Sequence, residues 1–208
     1  FCPGCAYQHA AYAAELRIKH GQFRDFLERE APAGLAGGHS PVGAPLPLGY
    51  RNKIVLHAAV DGKDVTLGYF QEDNRTVLDI PACPLAHGDL NRVLAEVRAK
   101  PGFLTTLRDG MTITLRATPS DGAVWWRNDA DAGATWLKES TALGVLSVPR
   151  GSFFQVNPPV ADLLVRHMET LLGTMPGDHL VDAYSGVGVF ACVGARAGKA
   201  SIVGIESD

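Results

Sequence analysis

The sequence predicts two kinds of architecture in one chain. Residues 1–150 read as an α+β unit with a mixed or antiparallel sheet and helices. Residues 151–208 read as the opening half of an α/β, Rossmann-like unit. Three observations carry this. Two alternating apolar segments, 50–70 and 111–127, are each interrupted by an Asp-Gly turn signal, Asp61-Gly62 and Asp121-Gly122. Near the end, Val181-Asp182-Ala183 leads into Gly186-Val187-Gly188 and an alanine-rich helical stretch. A second apolar run, Ser201 to Ile205, then ends in Glu206, which completes strand, glycine turn, helix and strand.

Tyr7 to Glu30 has helical periodicity, with Tyr12, Leu16, Phe23, Phe26 and Leu27 near one face. Residues 31–49 are rich in Gly, Ala and Pro and read as a connector. Tyr50 to Val60 and Val65 to Phe70 form a hairpin, and Thr76 to Ile80 is a short extended piece. Leu85 to Lys100 is helical and closes at Pro101-Gly102. Met111 to Ala117 and Ala123 to Arg127 pair, so Trp125 and Trp126 must face opposite sides. Leu146 to Val148 and Phe153 to Val156 read as short extended pieces. Asn157 caps a helix from about Val160 to Leu172, with Pro158 and Pro159 in its first turn. His179 to Tyr184, Val187 to Ala197 and Ala200 to Ser207 complete the second unit, and a crossover helix of this length predicts parallel strands.

Apolar residues make up 46% of the 208, enough for a sizeable core and against wholesale disorder. The net charge of −3 does not exclude nucleic acid, since binding needs a local basic patch rather than a basic total. No apolar run reaches the length needed to span a bilayer, so no membrane is expected. The chain starts at Phe1 and stops at Asp208 where such a fold should continue, so we expect an internal fragment of a longer protein. Cys2 and Cys5 form a C-x-x-C, which in a cytosolic protein favours metal, cluster or redox chemistry over a disulfide. Cys192, within an apolar helical stretch, reads as a small core residue.

Four stretches, in order, resemble the RNA 5-methyluridine methyltransferases, which use S-adenosylmethionine. Cys2-Pro3-Gly4-Cys5-Ala6-Tyr7-Gln8-His9 is similar to C-G-G-C-x-x-Q-H, and Tyr50-Arg51-Asn52-Lys53 to Y-R-N-K. Ser152-Phe153-Phe154-Gln155-Val156-Asn157 is similar to S-F-F-Q-x-N. Asp182 to Phe190 is similar to D-x-Y-C-G-x-G-x-F, with Ser185 in the place of the cysteine. The resemblance runs over essentially the whole chain. It implies a class I methyltransferase domain beginning at residue 151, behind a central domain that presents RNA.

The resemblance implies a role for each matching position. Gln155 would touch the methyl donor, Tyr184 and Gly186 would lie against its amino acid portion, and Glu206 would bind the ribose hydroxyls. Glu206 follows Gly188 by eighteen residues, near the roughly 20 of such units. Asp182 is expected to brace the turn. Cys2, Cys5 and Cys83 match three of the four ligands of the [4Fe–4S] cluster carried by one branch of the family, and the first ligand would lie upstream of Phe1. Arg51 and Lys53 are candidates for RNA contact.

The family's chemistry adds a cysteine thiolate to C6 of uracil, which makes C5 nucleophilic towards the sulfonium methyl. The resemblance places that cysteine and the general base beyond Asp208. No catalytic residue is therefore named here, and this piece alone is expected to lack methyl-transfer activity. A cytoplasmic protein is expected, with ribosomal or transfer RNA as partner. We also expect that a dimer of the fragment could cover an exposed sheet edge. Two alternatives stay open: a methyltransferase of another substrate class, and a non-catalytic RNA- or metal-binding module. A nicotinamide enzyme is disfavoured, because Gly194 falls at the wrong spacing for G-x-G-x-x-G.

Overall fold

The computed structural model describes residues 4–30, 40–128, 135–173 and 177–207. The first element is helix α1, Tyr12–Glu30. Strands β1 (Lys53–Asp61), β2 (Asp64–Phe70), β3 (Val77–Asp79), β4 (Thr112–Thr118) and β5 (Gly122–Arg127) form one antiparallel sheet in the order β3-β2-β1-β4-β5. The β1–β2 turn falls at Gly62, whose φ of +59° suits glycine. Register sets the core: Ile54 opposes Leu115 and Leu56 opposes Ile113. All four point to the face covered by helix α2, Gly88–Arg98, through Leu90, Val93, Leu94 and Val97. Each fully buried leucine there contributes about 1.5–3 kcal/mol through the apolar area it removes from water. The His87 ring caps α2 by accepting from the Asp89 N–H.

The two tryptophans divide as their alternation requires. Trp125 packs on the core, edge-on to Phe103 with centroids 5.5 Å apart. Trp126 lies on the opposite face, under the Arg150 guanidinium at 4.9 Å.

A hairpin follows that the sequence pattern only half reveals: β6 (Trp136–Thr141) with β7 (Gly144–Pro149). Its buried positions on β6 are Leu137 and Glu139, and an inward carboxylate hides the strand's apolar period. Phe153 to Val156 forms no strand. Its residues still alternate, with Phe154 buried and Phe153 and Gln155 exposed, because the segment docks through one side without a ladder partner. Helix α3, Pro158–Gly173, starts as predicted, with Asn157 Oδ1 accepting from the Val160 N–H at 3.3 Å.

Strand β8 (His179–Ala183), helix α4 (Val189–Arg196) and strand β9 (Ser201–Ile205) give the expected parallel crossover, with Val181 opposite Val203. Gly194 on α4 sits so close to β8 that a Cβ there would meet Leu180 Cδ2 at 2.4 Å. The glycine at the wrong spacing for a dinucleotide fingerprint thus serves close helix–strand packing.

Two expectations need correction. Helix α1 begins at Tyr12 rather than Tyr7 and buries none of its residues; Phe23 and Phe26 of its apolar face are exposed. Cys192 is exposed rather than in the core, since the inward face of α4 presents Val193 and Gly194 instead.

Candidate functional site

The turn between β8 and α4 is the most constrained backbone in the second unit. Tyr184 holds φ at +61°, Gly186 at +52° and Gly188 at +80°. Left-handed backbone suits the glycines but is strained for tyrosine, and strain of this kind gathers at binding sites. Three bonds knit the turn in place. Gly188 N–H donates to Ser185 C=O at 2.8 Å, Ser185 N–H to Ile205 C=O at 3.0 Å, and Gly186 N–H to Glu206 Oε2 at 2.6 Å. Asp182, buried at the end of β8, accepts from Ala191 N–H at 2.9 Å and so anchors the first turn of α4. That is the bracing role expected of it.

The fold brings the four candidate donor residues together. Gln155, Tyr184 and Gly186 line one apolar cavity with Phe153, Phe154, Leu164 and Phe190. Glu206, Tyr184 and Gly186 line an adjoining cleft of about 650 Å³ with Trp136, Phe153 and Gly188. That volume lies within the range of small-molecule sites. Tyr184 projects its ring into solvent at 90% exposure, and Phe153 at 71%. Trp136 joins the cleft from β6, and sequence reasoning missed it along with the strand that carries it. The signal was present in its alternation with Leu137, but Glu139 obscured it.

Arg51 and Lys53 lie elsewhere, at the start of β1. The Arg51 backbone bridges to Ala86, donating to Leu85 C=O and accepting from His87 N–H. Lys53 stands opposite Arg116 on the neighbouring strand. Burial holds its ammonium below the usual lysine range, and the Arg116 charge adds to this.

Of the candidate cluster ligands, Cys2 lies outside the described residues. Cys83 is buried in the core cluster, and Cys5 packs against that same cluster. The Cys83 backbone is held on both sides by Asn91, whose amide accepts from its N–H at 2.8 Å and donates to its C=O at 3.0 Å. Tyr50 is near enough to feel Cys5, and burial raises its phenol above the ordinary value. Two thiols in one apolar neighbourhood suit a cluster, but among the described residues no three His, Cys, Asp or Glu side chains form a metal-binding group.

Strand, left-handed glycine turn, helix and acid-tipped strand together define the opening of a class I methyltransferase-type fold. A tRNA (uracil-54, C5)-methyltransferase from Pyrococcus abyssi, solved with S-adenosyl-L-homocysteine, shares that fold. It superposes with a TM-score of 0.70 at 21% identity, over all of this chain and 59% of its own. No family model matches the sequence. Among curated proteins, the chain is 26% identical to the 23S rRNA (uracil(1939)-C(5))-methyltransferase RlmD of Acidithiobacillus ferrooxidans, over 100% of this chain and 55% of that one. It is also 26% identical to the tRNA (uracil(54)-C(5))-methyltransferase of Schizosaccharomyces pombe, over 99% of this chain and 41% of that one. These two relatives are RNA uracil-C5 methyltransferases, and the chain spans about half the length of the curated relatives it matches. None of these relatives supports the dimer expected from the sheet edge.

Proposed function

We propose that the whole protein transfers the methyl group of S-adenosylmethionine to C5 of a uridine in ribosomal or transfer RNA. One observation carries this. Gln155 and the Tyr184–Glu206 unit, distant in sequence, face adjoining cavities in a chain whose relatives are uracil-C5 methyltransferases. Glu206, at the tip of β9, accepts the ribose hydroxyls; its Oε2 also holds Gly186 N–H, and its Oε1 the N–H and hydroxyl of Ser207. The Tyr184–Gly186 turn lies against the amino acid portion of the donor, and Gln155 orients the methyl-bearing end. Arg51 and Lys53 contact RNA, whose target base leaves its stack to be methylated. As the resemblance implies, we place the thiolate that adds to C6 in another part of the whole protein; among the described residues no cysteine lines either cavity. Once C5 has taken the methyl, a base removes the C5 proton and the thiolate leaves.

Cys2, Cys5 and Cys83 are read as ligands of a [4Fe–4S] cluster in the whole protein. Such a cluster would supply a covalent tie between the N-terminal segment and the sheet core. The packing of Cys5 on the cluster that contains Cys83 supports this. An RNA-modifying role also supports a cytoplasmic location; no described helix is long and apolar enough to cross a membrane.

The test is incubation of the whole protein with methyl-labelled S-adenosylmethionine and unmodified ribosomal and transfer RNA, followed by nucleoside analysis. Label in 5-methyluridine is expected. Label absent from both RNAs, or present on another base, overturns the reading.

A further inference from the structure

A buried ion pair joins the five-stranded sheet to the β6–β7 hairpin and takes no part in the chemistry above. Arg116 of β4 and Glu139 of β6 are each 1% exposed. Arg116 Nε–H donates to Glu139 Oε1 at 2.7 Å, and Nη2 lies 2.7 Å from the same oxygen without hydrogen-bond geometry. Asn52 Nδ2 donates to the other carboxylate oxygen at 3.4 Å. Burial raises the Glu139 carboxyl above the usual range, and the Arg116 charge opposes that rise. Taking two charges out of water is costly, and an apolar pair of similar volume often serves adhesion as well or better. Adhesion alone therefore does not account for the pair.

Its remaining contacts converge on one segment. Arg116 Nη1 donates to the Arg150 C=O at 3.4 Å. The guanidinium carbon lies 5.7 Å from the Phe154 ring centroid, and that ring is 5% exposed. Asn52 N–H donates to the Val156 C=O at 3.0 Å, while the Asn52 C=O accepts from Ala117 N–H at 2.8 Å. Residues 150, 154 and 156 are thus each gripped by this network. Gln155 lies between two of the held positions, its side chain exposed and lining the cavity it shares with Tyr184 and Gly186. The segment has no strand ladder of its own. Directional bonds fix its height over the sheet, whereas apolar packing alone would let it slide.

The geometry points to a positioning role: Asn52, Arg116 and Glu139 hold the Phe153–Val156 segment so that Gln155 meets the methyl donor in register with the Tyr184 turn. This rests on the reading of the cleft as the donor site. It concerns three buried residues, Asn52 before β1, Arg116 of β4 and Glu139 of β6, which line neither cavity and so act through Gln155.

The test replaces the pair by apolar residues of similar size, Arg116→Met with Glu139→Leu, in the whole protein. Expected are an unchanged or raised melting temperature and binding of S-adenosylhomocysteine weakened about tenfold, the scale of a small misplacement of a binding group. Amide exchange should quicken in residues 150–157 but not in β1 or α2. A folded double variant that binds S-adenosylhomocysteine as tightly as the wild type overturns the positioning role alone. A wild-type protein that does not bind it overturns the donor-site reading, and this inference with it. Should the double variant not fold, Asn52→Ala leaves the ion pair in place. Faster exchange at 150–157 with weaker binding then supports the role, and wild-type values for both remove it.

Discussion

The five-stranded sheet and the β8–β9 pair look alike as sequence and differ in what covers them. Ile54, Leu56, Ile113 and Leu115 are essentially inaccessible beneath α2, whereas Val181, Val203 and Ile205 are each more than half exposed. In the second pair, the face of Leu180, Asp182 and Ile202 meets α4, and the opposite face meets nothing among the described residues. An apolar strand pattern therefore reports which faces need a cover, and the presence of that cover is a separate fact. The five-stranded sheet carries its own core. The β8–β9 pair presents a constrained turn and part of the wall of a cleft, on a scaffold that α4 covers on one side.

Substitutions can sharpen this contrast. The largest effect is expected from Leu115→Ala, which leaves a cavity under α2 and should cost about 2–5 kcal/mol in denaturant unfolding. Asp182→Ala removes the acceptor for Ala191 N–H and should cost about 1–2 kcal/mol. That loss should appear mainly as faster amide exchange in α4, with the five-stranded sheet unaffected. Gly188→Ala forces a Cβ into left-handed backbone at the start of α4 and should cost about 1 kcal/mol or somewhat more, read as a lowered melting temperature. Val203→Ala, on the open face, should stay within about 0.5 kcal/mol of the wild type. A loss as large as that of Leu115→Ala would show that this face is covered in solution, and the contrast would fail.

The smallest expected effect is a pH slope. Burial lowers the His57 imidazole below its ordinary value, on the sheet face where its ring lies 4.2 Å from that of Phe70, tilted by 35°. As pH falls through about 6.5, the unfolded chain takes up a proton before the folded one does. The contribution present above that pH is therefore lost as pH drops towards the folded value. His57→Leu should flatten this decline in acid unfolding curves. An identical slope in both proteins would assign the decline to other groups.

How much was legible follows the same physics. The β1–β2 hairpin and the β8–α4–β9 crossover were readable because alternation, an Asp-Gly turn and glycine spacing are local signals. Strand β6 was not, because Glu139 points inward and its compensation by Arg116 is set by tertiary contact. The Phe153–Val156 segment showed its alternation but not its cause, which is docking on a polar network rather than a ladder. Gln155, Tyr184, Gly186 and Glu206 were named from motif resemblance, and only the fold showed that they face adjoining cavities. Trp136 entered the cleft unseen, carried by the strand that the buried carboxylate disguised.

The central claim is that the cleft between Gln155 and Glu206 holds the methyl donor. Calorimetric titration of S-adenosylhomocysteine into the whole protein tests it directly, with Glu206→Ala alongside. The account predicts one site per chain in the wild type and an affinity lower by about tenfold or more in the variant, the scale of losing a charge-assisted hydrogen bond. Equal affinity in the two proteins, or no binding by the wild type, would contradict it.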